Sequence, residues 1–107
     1  MDTISEGTFA LRGPSVKFTF VSDPGHGWLI LSPQWIGAVG LSLAAFSQHS
    51  YVAEDGTLAL EEDCDAPKFL EAYARCFGQT ASFHEIFEDP CSVRGWYPLH
   101  ATMDRVA

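Results

Sequence analysis

With 107 residues, 47% of them hydrophobic, the chain is long enough for one core and too short for two ordinary domains. Fourteen acids against six bases leave a formal net charge of -8, which excludes direct nucleic-acid binding of the kind that releases counterions from phosphates. The longest apolar run, around Val39 to Phe46, is broken by Gly40 and Ser42 and falls far below a membrane span, so no membrane partner is expected.

Residues 1–15 contain Gly7, Gly13 and Pro14 around a short apolar run and read as an N-terminal extension, with a single domain over residues 16–107. Asp2 and Glu6 stand where a secretory signal would be basic, which places the expected site of action in the cytoplasm. Val16 to Val21 alternates as a strand, with Val16, Phe18 and Phe20 on one face. Asp23-Pro24-Gly25-His26-Gly27 then forces a sharp turn before a second apolar strand at Trp28 to Leu31. Ser32 and Pro33 start a helix whose stripe is Trp35, Ile36, Val39 and Leu43; Gly37 and Gly40 weaken it, so it should end near Gly40 ahead of a single-turn piece over Ser42 to Ala45.

Phe46 to Val52 and Thr57 to Glu61 flank Ala53-Glu54-Asp55-Gly56 and predict a hairpin, with Gly56 supplying the positive φ of the loop. Leu58 and Leu60 mark its buried face, and from Phe69 the period switches to Phe69, Ala72, Tyr73 and Cys76, a helical stripe that Gly78 can end. Between the two patterns lies an acidic elbow, Glu61-Glu62-Asp63-Cys64-Asp65, where Asp65 is the natural N-cap and Pro67 is tolerated for want of an N–H. Ser82 to Phe87 and Val93 to Tyr97 are further strands around a turn at Asp89 to Ser92. The expected fold is therefore α+β, in the order β-β-α-β-β-α-β-β: an antiparallel sheet of five to six strands with two helices on one face.

Chemistry has few footholds. His26 sits between glycines on a turn, but a solvated histidine stacked on Trp28 is the simpler reading. His84-Glu85 with Glu88-Asp89 makes H-E-x-x-E, which lacks the second histidine of a zinc protease, and on a strand His84 and Glu85 point to opposite faces. The elbow has no calcium-loop spacing, so neither a metal nor a cofactor is expected. Cys64, Cys76 and Cys91 form no C-x-x-C pair and read as reduced thiols, and Cys64 lies among carboxylates that raise its pKa.

Phe18 to Leu29 with its Asp-Pro-Gly-His-Gly-Trp-Leu core, then Ser50-Tyr51, then Leu60 to Ala66 with Phe69-Leu70 behind, resemble a family of small uncharacterised acidic proteins of phages, prophages and plasmids. The resemblance implies a phage-type context, in which small acidic proteins, anti-CRISPR proteins among them, block host defence machinery. It implies no catalytic residues. The expectation is a non-enzymatic inhibitor that binds a basic, nucleic-acid-handling surface of a host complex, such as a CRISPR effector subunit, by imitating the spacing of phosphates. Its partner-binding residues would be Glu61, Glu62 and Asp63, facing outward, with Asp23, His26, Trp28, Glu85, Glu88 and Asp89. A metal-dependent hydrolase or nuclease using His26, His84 and the elbow is the rival expectation, and a phage regulatory or housekeeping protein the third.

Overall fold

The structure, a computed structural model, describes residues 16–100; the extension expected over residues 1–15 lies outside the described residues, as do residues 101–107. Six strands form one sheet: β1 (Lys17–Ser22), β2 (Gly27–Leu31), β3 (Tyr51–Val52), β4 (Leu58–Glu61), β5 (Ser82–Phe87) and β6 (Tyr97–Pro98), in the spatial order β5-β1-β2-β4-β3-β6. Helices α1 (Gln34–Ala38) and α2 (Ala66–Phe77) pack on one face. The fold is α+β.

Alternation decides which residues meet the helices. Phe18 of β1, Leu29 and Leu31 of β2, and Leu58 and Leu60 of β4 join Ile36 of α1 and Phe69, Ala72 and Tyr73 of α2 in the main core. Phe18 is its hub, meeting Trp35, Phe69 and Tyr73 edge-on at centroid distances of 5.2, 5.5 and 5.4 Å. The opposite face buries a smaller cluster, Val21, Trp28 and Ala59, beneath Cys91 and Val93. α2 ends at Gly78, whose φ of 72° lets its N–H bond the Ala74 carbonyl.

Three expectations need correction. All neighbouring strands pair antiparallel except β1 and β5, which run parallel with Phe18 opposite Phe83 and Phe20 opposite Glu85. The cause is α2: twelve helical residues carry the chain back along the sheet, so β5 must run the same way as β4 and hence β1. Next, β3 spans only Tyr51–Val52 rather than starting at Phe46, because the amides of Ser47 and His49 bond side chains instead of a ladder. Finally, Val93 to Tyr97 is no strand. Ser92–Gly95 forms a 3-10 turn whose Val93 plugs the lower cluster, and only Tyr97–Pro98 pairs with β3.

Leu60 is completely buried between β2 and α2. Leu60→Ala should cost about 2–5 kcal/mol in chemical denaturation, as buried leucine truncations do; a loss below about 1 kcal/mol would contradict this packing.

Candidate functional site

Strand directions bring distant segments to one end of the sheet. β1 finishes at Ser22, β2 starts at Gly27, β4 finishes at Glu61 and β5 at Phe87, and the pairings set these ends side by side. Two backbone bonds seal the junction, Glu62 N–H to the Gly27 carbonyl and Glu88 N–H to the Ser22 carbonyl, both near 2.9 Å. The glycine-rich turn, the acidic elbow and the Glu88-Asp89 turn therefore share one surface.

Asp65 does not cap α2 with its side chain. Its fully buried carboxylate turns back on the loop before β3, accepting from Ser47 N–H and Oγ–H at 2.8–2.9 Å, from the Ser50 hydroxyl and from Lys68 Nζ at 3.3 Å. Ser50 Oγ in turn accepts the Glu61 N–H at 3.0 Å. Glu61 instead serves the turn ahead of α2, its Oε1 accepting the N–H groups of Asp63 and Cys64 at 2.9 and 2.8 Å. Glu61 is thus only 6% exposed, contrary to the expectation that it faces outward: the elbow's own free amides need it.

Asp23 and Trp28 are also buried rather than standing out on the surface. Asp23 is buried, accepts the N–H groups of Gly25 and His26 at 3.0 Å and holds Arg94 through two bonds of 2.5 and 2.9 Å. The Arg94 guanidinium holds its carboxyl well below the usual carboxylate range. Arg94 also lies over the Trp28 ring at 5.3 Å, and Trp28 is 2% exposed with its indole N–H unpaired among the described residues. Arg94 carried no signal in the sequence, since its partner is 71 residues away.

The remaining residues stay accessible. Glu62, Asp63, Glu85 and Asp89 are exposed, while Glu88 is half-buried and accepts from Ser92. His26 is exposed, with Nδ1 3.8 Å from Glu61 Oε2, and lies tilted against Trp28. His26 and Glu61 flank an open cleft of about 270 Å³ that Trp28 and Arg94 also line and that Gln48, His49, Tyr51, Asp63 and Cys64 complete. The Glu61 hydrogen bond first, then burial and the charges of Glu61, Asp65 and Asp63, push the exposed Cys64 thiol up, which disfavours a nucleophilic thiolate. His84, on edge strand β5 opposite Thr19, does not belong to this cleft. Among the described residues no three His, Cys, Asp or Glu side chains are grouped to hold a metal ion, and no helix is long and apolar enough to cross a membrane.

No family model, no curated protein and no solved structure matches the chain.

Burial pushes the Asp65 carboxyl up, but the bonds from Ser50, Ser47 and Lys68 outweigh it and hold the group below its ordinary value. Asp23 is depressed as well, so the stability both confer is whole above about pH 4 and is lost as the pH falls through their folded values. Thermal melts should be flat from about pH 7 to 5 and drop below about pH 4. Asp65→Ala should cost about 2–4 kcal/mol at neutral pH, somewhat under the figure for breaking a fully buried pair because Lys68 is exposed, and should flatten the acid drop; a flat parent profile would contradict this account.

Proposed function

We propose that the protein is a non-enzymatic inhibitor of phage type that docks the acidic end of its sheet on a basic, nucleic-acid-handling surface of a host defence complex. The observation that carries this reading is the placement of charge. Glu62, Asp63, Glu88 and Asp89 gather at one end with Glu85 close by, while the two cations there, Lys68 and Arg94, are held by Asp65 and Asp23. At the other end Glu54 and Asp55 stand with Lys17 and Arg75, a near balance. Such a one-sided field steers association with a cationic surface and presents outward carboxylates where phosphates would lie. The resemblance to small phage and plasmid proteins supplies the biological setting for this reading.

Hydrolase chemistry draws no support from the geometry, since His26 and His84 are apart and Cys64 is held as a thiol. The test is a panel of host strains, each carrying one defence system and challenged with a phage that system restricts. Expression of the protein should restore plating in one strain. Glu62→Gln, Asp63→Asn and Asp89→Asn together should leave folding intact, because all three are exposed, yet lose at least about tenfold of that protection, equivalent to about 1.4 kcal/mol of binding. Full protection by the triple variant would contradict docking through this end.

A further inference from the structure

The two edges of the sheet are built differently. β6 is two residues long and ends in Pro98, which has no N–H to offer, so that edge is blunted. β5 is six residues long, contains no proline, and has no strand on its outer side among the described residues. Two of the three exposed large hydrophobics among the described residues lie on it, Ile86 at 37% and Phe87 at 65% exposure. Beside it, on the helix face, Phe20 and Phe83 floor a groove of about 290 Å³ walled by Pro67 and Leu70 of α2, with Glu62 and Glu85 on its rim and no basic residue lining it.

We infer that β5 is a strand-addition site that takes an extended segment of a partner carrying an apolar and a basic side chain two residues apart, on one face of the strand. The added strand would pair its backbone with the outer edge of β5, seat an apolar side chain against Phe83 and Leu70, and, two residues along on the same face, set Lys or Arg on Glu85 and Glu62. Charge selects this occupant. A second copy would lay two segments side by side that each carry Glu85, Glu88 and Asp89 and no Lys or Arg, which is repulsive, whereas a basic segment is attracted by the same carboxylates. The inference rests on the acidic-end reading above and deepens it by naming the form of the partner segment.

The probe is a seven-residue peptide with Phe at position 4, Lys at positions 2 and 6 and Thr at the others, used with two isomers N-methylated either at residues 2, 4 and 6 or at residues 3, 5 and 7. Alternate amides of a strand point to opposite edges, so one isomer loses the pairing and the other keeps it. The parent peptide should bind at physiological salt and slow amide exchange within residues 82–87. One isomer should bind at least tenfold more weakly, the other like the parent, and Glu85→Lys should weaken the parent peptide at least fivefold. Equal binding by both isomers, loss of binding by both, or no binding overturns the inference. Slowed exchange at residues 48–51 and 61–64 instead overturns it while leaving the acidic-end reading standing, which the plating panel tests separately. Slow exchange at the outward-pointing amides of residues 82–87 in the free protein, or a concentration-dependent dimer, means that the chain's own N-terminal segment or a second copy already holds the edge, and also overturns it.

Discussion

The Asp65 carboxylate is the constraint on which the acidic end of this fold depends. It enters the interior at the point where β4 becomes α2, and an ionised group there is tolerable only when its lone pairs are filled. Ser47, Ser50 and Lys68 fill them. In doing so they pull the chain out of β geometry before Tyr51, bring Ser50 under Glu61, and place Gln48 and His49 at the mouth of the cleft. Lys68 is recruited twice, since Nζ also donates to the Ala45 carbonyl at 2.9 Å and so ties α2 to the turn after α1.

A division of labour among the carboxylates follows. Asp65 and Asp23 each neutralise a cation, and Glu61 satisfies two amides, so these three serve the fold. Glu62, Asp63, Glu85 and Asp89 have no such duty and stand exposed on the same end. Repulsion among them is moderate in water, about 1 kcal/mol per close pair at most, and the tethers beneath hold them regardless. The outward charge is thereby separated from the charge that stabilises, which is what a docking surface for a basic partner requires.

Much of the fold was legible because periodicity reports burial. The alternation of Leu58 with Leu60, the helical stripe of Phe69, Ala72 and Tyr73, and the glycines at positions 56 and 78 each named their element. The parallel β1–β5 pair was not legible, since local turn chemistry says nothing of a strand reached through a helix. Nor were the buried roles of Glu61 and Asp65. The sequence marks Asp65 as a helix cap, and only the position of Ser47 and Ser50, 18 and 15 residues earlier in the chain, draws its carboxylate back onto the loop before β3 instead. For the same reason the sequence offered Asp23 and Trp28 as surface residues: the guanidinium that covers them arrives from Arg94, across the sheet. The convergence of the three acidic segments needed the strand register, which periodicity alone does not supply.

The central claim is that Asp65 and the loop before β3 stabilise each other through Ser50, and a double-mutant cycle measures this directly. Asp65→Ala, Ser50→Ala and the double variant would be compared by urea denaturation at pH 7. The account predicts a coupling of at least about 1 kcal/mol, because each single change strands a buried group that the double change removes. Losses that add within about 0.5 kcal/mol would contradict it.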